Sequence, residues 1–201
     1  MKILVLSDEP SKWLYDFYEE GKLDEYDLIL SCGDLPANYL SFLVTFARAP
    51  LLYVTGNHDH YDRKPPEGCI CIDDQIYEYK GVRILGLGGS MQYIPGAPNQ
   101  YTEKAMEKRV RKLFFQLKKN KGFDILLAHA PAHGVGDLPD LPHRGFKVFL
   151  SLMEKYKPKY FFHGHVHLNY ASNLYREQKY METTVVNAFE KWTVVYLVEL
   201  M

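Results

Sequence analysis

The stretch Val54-Thr55-Gly56-Asn57-His58-Asp59-His60-Tyr61 follows a short apolar run and brings an amide, a carboxylate and two imidazoles together within four residues. Pro50 precedes the run and Gly56 ends it, so the pattern predicts a buried strand over 51–55. A loop that leaves the carboxyl end of a strand is where α/β proteins usually place their chemistry. Taken alone, these polar residues fit a surface turn as well as a binding site.

The same succession of a buried strand and a polar exit occurs at four other places. Strands are predicted at 3–6, 27–32, 124–128 and 159–162, and they run into Asp8, Gly33-Asp34, His129 and His165-Val166-His167. Helices predicted at 11–21 and 36–47 separate the first three strands, an alternation typical of a mostly parallel sheet. Because parallel strands end at one edge of a sheet, we expect their polar exits to converge there.

The middle and the end of the chain depart from this alternation. Short β-type runs at 69–72, 75–80 and 82–87 are joined later by closing strands near 174, at 181–186 and at 192–200. They predict a second sheet packed on the first. Two loops, 90–101 and 131–145, are candidates for the rim of a substrate pocket, with a plain connector and a solvated loop as the alternatives.

A long helix is predicted from the capping residue Thr102 to about Asn120, and another from 146 to 156. The apolar side chains of the long helix are expected to share one stripe, formed by Met106, Val110, Leu113, Phe114 and Leu117. Between Glu103 and Lys121 the chain carries eight basic residues against two acidic ones. Because no aromatic platform is interleaved on the basic side, a solvated face is preferred to a nucleic-acid-binding one.

Composition and charge narrow the function further. The 201 residues suit one domain, 1–201, and the formal net charge of -1 gives no general attraction to nucleic acid or acidic membrane. Three cysteines at uneven spacing are no disulfide framework, and buried Cys32 is expected to fill space. The apolar runs are too short for a signal peptide or for the ~20 residues that cross a bilayer. We therefore expect a soluble, cytoplasmic protein without membrane or nucleic-acid partners.

The side chains at the strand exits are of metal-binding types: carboxylates, one amide and four imidazoles. Oxygen and imidazole donors without thiolate favour Mn, Zn or Fe over a structural cysteine-rich zinc site. Two such ions ~3.5–4 Å apart would provide a hydroxide near neutral pH and a clamp for phosphoryl oxygens. Each piece alone also fits a turn or an ordinary histidine, but the agreement of five strand ends predicts a metal site.

In combination these blocks resemble the calcineurin-like metallophosphoesterase superfamily. They are G-D at Gly33-Asp34, G-N-H-D at 56–59, H at His129 and G-H-x-H at 164–167, in family order. The resemblance implies an α/β fold, a four-layer αββα sandwich of two mixed sheets flanked by helices. It also implies that Asp34 bridges two metal ions, that Asn57, His129 and His165 complete one site, and that Asp8 and His167 belong to the other. His58 would contact phosphate and protonate the leaving oxygen.

One family block is incomplete, because the family has a histidine two residues after the first aspartate and this chain has Pro10. Glu9 is expected to point away from Asp8 if the strand continues. The cofactors are therefore expected to be two divalent ions (Mn, Fe or Zn), or one if Pro10 removes a site, with His60 or Glu9 as possible replacements for the missing ligand.

The expected function is hydrolysis of a phosphodiester or small phosphomonoester by a metal-activated hydroxide. The substrate would be a phosphorylated small molecule or a nucleotide. The longer G-D-x-x-D-R-G block of Ser/Thr protein phosphatases is absent from 33–39. The alternative is a catalytically weak metal-binding scaffold of the same fold, although such a scaffold has no need of His58. The physiological substrate and the oligomeric state are not encoded in these motifs.

Overall fold

The computed structural model describes residues 1–61, 64–170 and 174–197. In chain order its elements are β1 (Lys2–Ser7), β2 (Leu28–Ser31), α1 (Ala37–Phe46), β3 (Leu51–Tyr53), β4 (Ile70–Cys71), β5 (Gln75–Tyr79), β6 (Val82–Leu87), β7 (Ser90–Met91), β8 (Gln100–Tyr101), α2 (Glu103–Lys112), α3 (Phe114–Lys119), β9 (Ile125–Ala128), α4 (Lys147–Tyr156), β10 (Tyr160–His163), β11 (Glu177–Tyr180), β12 (Thr183–Asn187) and β13 (Glu190–Val195).

The first sheet has the order β13-β1-β2-β3-β4 and is mixed. Strands β1 to β4 run parallel, whereas β13 lies antiparallel to β1 with Lys2 opposite Val195. The strands β1, β2 and β3 are continuous apolar runs because both faces of the sheet are covered. Since they are parallel neighbours, all three end at the same edge.

The second sheet has the order β11-β12-β10-β9-β6-β5. Its four central strands run parallel, and the edge strands β11 and β5 are antiparallel to their neighbours. A hairpin turn joins β5 to β6, with both Lys80 (φ 48) and Gly81 (φ 79) in the left-handed region. Strands β9 and β10, which carry the last two polar exits, are parallel neighbours in the centre of this sheet.

Alternate side chains along the strands divide the interior into three apolar layers. Ile3 of β1 and Ile125 of β9 belong to the cluster between the two sheets. The next residue of each strand faces outward, so that Leu4 packs toward α1 and Leu126 packs toward α2, α3 and α4. The succession of helix, sheet, sheet and helices confirms the expected sandwich of two mixed sheets flanked by helices.

The prediction of a helix at 11–21 is wrong, because this segment forms successive turns. Ser11 does not cap a helix; its hydroxyl donates to Glu190 Oε1 at 2.9 Å. In this segment Leu14 is buried, while Trp13 and Phe17 are 41% and 68% exposed. Tyr18 is partly buried against the same core cluster, so the segment contributes few side chains to the packing that a short helix needs for stability.

The long helix predicted from Thr102 to Asn120 is interrupted. Thr102 does cap α2, its hydroxyl accepting from the N–H of Ala105 at 3.2 Å, but α2 ends before Leu113 (φ -80, ψ 0) and α3 starts after it. The break keeps Leu113 and Leu117 buried and turns Phe114 outward, 54% exposed, so the predicted stripe is wrong at that residue.

The carboxyl-terminal strands are shorter than expected. The strand predicted near 174 forms at Glu177–Tyr180, and the one predicted at 192–200 ends at Val195, with 198–200 outside the described residues. Among the described helices none has the length and apolar content needed to cross a bilayer.

Candidate metal centre

The five polar strand exits meet where the facing edges of the two sheets come together. The N–H of Asp8 donates to the carbonyl of Gly33 at 3.1 Å, which joins the exits of β1 and β2. The N–H of Gly164 donates to the carbonyl of His129 at 2.9 Å, joining the exits of β9 and β10. Across the sheets, Asp8 accepts from the N–H of His165 at 3.0 Å.

Three side chains converge on one atom of a fourth, His129 Nε2. Asn57 Oδ1 lies 2.9 Å from it, His165 Nδ1 3.1 Å and Asp34 Oδ2 3.3 Å. Single donor atoms of Asp34, His129 and His165 all lie within 4.8 Å of one another, close enough to hold one metal ion. We call this set of four residues the inner half of the centre.

The outer nitrogens of the two imidazoles fix their tautomers. His129 Nδ1 lies 2.9 Å from the carbonyl of Cys32, and His165 Nε2 lies 2.8 Å from the carbonyl of Pro142. Because a carbonyl only accepts, both of these nitrogens carry the proton, and the neutral rings present lone pairs at His129 Nε2 and His165 Nδ1. The inner half thus presents lone pairs from four atoms, an arrangement that requires a cation or a proton at its centre.

The pKa shifts follow from this crowding. Burial lowers the pKa of His129, but the carboxylates of Asp34, Asp8 and Asp59 outweigh it and raise that pKa to about 9. Burial and the charge of His129 lower the pKa of His165 to about 3. Burial also raises the pKa of Asp34, yet His129 and the N–H of His58 hold it well below its usual range. The donor set fits a divalent cation, which satisfies all four atoms at once.

Close packing of two loops brings the inner half together. A Cβ on Gly33 (φ 97) would overlap the backbone of Gly56, and one on Gly56 would overlap the carboxylate of Asp34. Asp59 joins the same loops, since its Oδ2 accepts from the N–H of Gly56 at 2.7 Å and of Asp34 at 3.0 Å. Two residues of the inner half have left-handed backbone, with φ 56 at Asp34 and φ 67 at His165.

A second hydrogen-bond network holds Thr55, at the start of the loop that follows β3. Asp73 accepts from the N–H and hydroxyl of Thr55 at 3.0 and 2.7 Å and from the N–H of Gly88 at 2.6 Å. Arg109 of α2 lies 3.6 Å from Asp73 and donates to Asp74 at 2.8 Å. The strand that delivers Asn57 and His58 is therefore connected to the helical layer through charged hydrogen bonds.

The outer half of the centre consists of Asp8, Glu9 and His167. His167 Nε2 lies 3.8 Å from Asp8 Oδ1, and its Nδ1 lies 3.8 Å from Glu9 Oε1. The expectation that Glu9 points away assumed a continuing strand; β1 instead ends at Ser7, and Asp8 turns the chain with φ 67. The side chain of Asp8 is 1% exposed, and this burial raises its pKa. The side chain of His167 is 26% exposed.

An open cavity of about 270 Å³ lies over both halves. Its walls include Asp8, Asp34, His165 and His167 together with His58, whose side chain is exposed to it. His60 does not line this cavity and borders a neighbouring surface depression beside Pro36. All seven residues predicted for the site are thus in or against one cluster, and His60 lies outside the cavity.

Four further residues line the cavity: Tyr93, Pro142, His143 and Tyr170. The hydroxyl of Tyr93 accepts from Asn57 Nδ2 at 3.3 Å and so turns the amide oxygen toward His129. His143 bonds Asp140 at 2.6 Å, and Tyr170 stacks on His167 with ring centroids 4.7 Å apart. Tyr93 and His143 come from the two long loops that sequence patterns mark as candidate rims, but a pattern does not indicate which loop side chain faces inward.

Comparisons with known proteins agree with this geometry. Residues 1–169 match the family described as calcineurin-like phosphoesterase, and the chain therefore belongs to that family. One solved structure covers 96% of this chain and 94% of its own at 14% identity and a TM-score of 0.69. The match to TT1561 of Thermus thermophilus covers 94% of this chain and 89% of the TT1561 chain, at 17% identity and a TM-score of 0.61. Both are similar in fold; no curated protein matches the sequence.

Proposed function

We propose that this protein hydrolyses phosphodiesters or small phosphomonoesters, with divalent metal ions as cofactors. The observation that carries the proposal is the convergence of four lone-pair atoms at His129 Nε2 beneath a cavity that His58 also lines. Membership of the calcineurin-like phosphoesterase family supports a metal-dependent phosphoesterase in general terms. The substrate class and the role of each residue are the new part of the proposal.

In this proposal the inner half holds one ion through Asn57, His129 and His165, the outer half holds a second through Asp8 and His167, and Asp34 lies between them. Divalent ions there would withdraw charge from phosphoryl oxygens and lower the pKa of a water molecule. The protein keeps the two inner imidazoles ready by hydrogen-bonding their outer nitrogens to backbone carbonyls, so no ring must turn on binding.

His58 is the proposed proton donor to the leaving oxygen. The backbone N–H of His58 donates to Asp34 Oδ1 at 2.8 Å, and this hydrogen bond holds the residue beside the centre. The side chain of His58 stays exposed to the cavity. A general acid placed in this way typically contributes 10²–10⁴-fold to the rate.

The cavity supports a small substrate. A volume of about 270 Å³ admits a phosphate group with a small substituent and not a folded protein loop. Tyr93, His143 and Tyr170 present rings at its wall, which suit a flat substituent such as a nucleoside base or an aryl group.

Purified protein assayed with Mn²⁺ on bis-p-nitrophenyl and p-nitrophenyl phosphate tests the proposal. We expect metal-dependent turnover that falls about 10²–10⁴-fold in His58→Ala with metal content unchanged. His60→Ala is the matched control, since it removes an imidazole from the same loop outside the cavity, and it should leave the rate unchanged. Absence of turnover in the wild-type protein, or equal rates for wild type and His58→Ala, would refute the proposal that the protein is a phosphoesterase.

The second candidate is a metal-binding scaffold with little turnover. The observation that favours it is the outer half, where Pro10 replaces a family ligand and His167 is 3.8 Å from Asp8. The same assay separates the two, because a scaffold would bind Mn²⁺ stoichiometrically and hydrolyse neither ester.

A further inference from the structure

An apolar groove runs along the outside of the second sheet's helical layer. It lies between α2–α3 and α4, has a volume of about 540 Å³, and is lined chiefly by Val110, Phe114, Leu117, Val148, Leu152 and Tyr156. None of its lining residues lines the cavity at the metal centre. The groove is therefore a separate feature of the molecule, and nothing about it depends on the proposed hydrolysis.

Two aromatic side chains are exposed at this groove. Phe115 is 80% exposed and Phe114 is 54% exposed, and their rings meet edge to face at 5.5 Å. Both follow the break at Leu113, which turns them out while Leu117 closes the floor of the groove. Neighbouring large apolar side chains left in water on a folded surface are typical of a contact site for another molecule.

The rim of the groove is positively charged and unneutralised. Arg111 and Lys155 belong to its lining, and Lys112, Lys118 and Lys119 occupy the same helices. Across the described parts of the chain none of these five cations forms an ion pair, whereas Arg83 and Arg109 are paired with aspartates.

Two acidic residues of α2 and α4 are held by hydrogen bonds and, among the described residues, form no ion pair with these cations. Glu103 is occupied by the N–H groups of Lys147 and Val148 at 3.0 and 2.9 Å, and Glu154 accepts from Tyr180 at 2.7 Å. With eight basic and two acidic residues between Glu103 and Lys121, this face is basic on a chain whose net charge is -1. A ligand of the groove would meet an apolar floor beside the cations Arg111 and Lys155.

We propose that the groove binds an acidic, amphipathic helical segment of a partner protein. A recess between two helices accepts apolar side chains spaced at i, i+3, i+4 and i+7, and the cations at its rim attract carboxylates on the flanks of that helix. A nucleic acid fits less well, because Arg111 on α2 and Lys155 on α4 flank a recess instead of forming a charged track beside Phe114 and Phe115. The exposed Phe115 is the expected anchor, since aromatic side chains dominate binding energy at such sites.

Selection from a phage-displayed library of random peptides about 16 residues long, roughly four helical turns, tests this proposal directly. The bait is the full chain, with counter-selection against a Phe115→Ser/Lys155→Glu variant. We expect enrichment of acidic peptides with helical apolar spacing. A synthetic copy of the best peptide, followed by fluorescence anisotropy, should bind at least about tenfold more weakly to either single variant and more weakly at high salt.

Matched controls come from the opposite outer layer. Phe17 is 68% exposed and Lys12 is exposed in the turn segment, and Phe17→Ser and Lys12→Glu should leave the affinity unchanged. Because Phe115 and Lys155 are surface residues, the variants should keep the wild-type melting temperature and the wild-type rate on p-nitrophenyl phosphate, whatever that rate is.

Several results would overturn the proposal. Peptides that are basic, that lack helical spacing, or that bind the variants as tightly as the wild type would remove the groove as their site. Dimerisation of the free protein by analytical ultracentrifugation, abolished by Phe115→Ser, would assign the groove to a second copy. Sedimentation with phosphatidylserine-containing vesicles, abolished by the same substitution, would assign it to a membrane surface.

Discussion

The inner and outer halves of the metal centre differ in how completely the fold has built them. In the inner half three donor atoms lie within 3.3 Å of a fourth, His129 Nε2, and both imidazoles are anchored by backbone carbonyls. In the outer half Asp8 and His167 are 3.8 Å apart, and the position two residues after Asp8 is a proline. The inner half is buried, whereas His167 is 26% exposed.

From this difference we expect the two halves, if both bind metal as proposed, to differ in metal affinity. Preorganised, desolvated donors lose little freedom on binding, so the inner half should take the first ion and hold it tightly. The outer half must bring His167 and Asp8 together and has one fewer ligand than the family pattern. Its contribution depends on what Glu9 and water can add.

The largest expected effect comes from removing one ligand from each half. His129→Ala should weaken the tight Mn²⁺ step by more than the roughly 10–100-fold typical of losing an outer-shell partner, and should abolish turnover. His167→Ala should leave one tightly bound equivalent. Calorimetric titration and metal analysis after dialysis measure both, with circular dichroism to verify folding. The expected order of affinities is wrong if His167→Ala loses the tightly bound equivalent of Mn²⁺ and His129→Ala keeps it.

Restoring the missing ligand should make the halves more alike. Pro10→His places an imidazole where the family has one and should strengthen the weaker Mn²⁺ step by at least about tenfold, about 1.4 kcal/mol. Pro10→Ala removes the ring without adding a donor and is the control. Equal titration curves for the two variants would mean that the outer half is not limited by this position.

The pH dependence of stability should distinguish a proton from a metal ion in the inner half. The pKa of His129 is raised from 6.5 to about 9, so the stability this proton contributes is complete below 6.5 and is lost as the pH rises through 9. In chelator-treated protein the melting temperature should fall over that range. With Mn²⁺ the fall should be smaller, because the ion replaces the proton and binds better once His129 is neutral. Identical slopes with and without Mn²⁺ would contradict this.

The smallest effect is expected at the hydroxyl that orients Asn57. Tyr93→Phe removes the acceptor of Asn57 Nδ2, so the amide can turn its oxygen away from His129. The tight Mn²⁺ step should weaken by about tenfold or less. Tyr170→Phe keeps a ring against His167 and should leave the tight step unchanged. An equal loss in both variants would show that the ring, and not the hydroxyl, matters.

Much of the fold and the centre follows from local patterns. Continuous apolar runs such as Ile3–Leu6 identify parallel strands buried on both faces, and parallel strands necessarily deliver Asp8, Asp34 and His129 to adjoining edges. Side-chain type then identifies a metal site before any distance is known.

What the sequence does not encode locally depends on tertiary packing. The apolar residues at 11–21 have helical spacing, but of them only Leu14 is buried, and Tyr15 and Tyr18 pack against Phe42 from a segment of turns. The break at Leu113, which exposes Phe114, is a backbone adjustment that periodicity does not register. Likewise Glu9 approaches His167 only because Asp8 turns the chain, and Tyr93 faces Asn57 only through the path of its loop.

The left-handed backbone at Asp8, Asp34 and His165 has an energetic consequence. Each non-glycine side chain in that region costs about 1 kcal/mol that glycine would not. Glycine at any of the three positions would relieve that strain, but it would also remove a side chain that joins the loops, as Asp8 does by accepting from the N–H of His165 and Asp34 by accepting from the N–H of His58. The strain is therefore tied to the same side chains that are the proposed metal ligands.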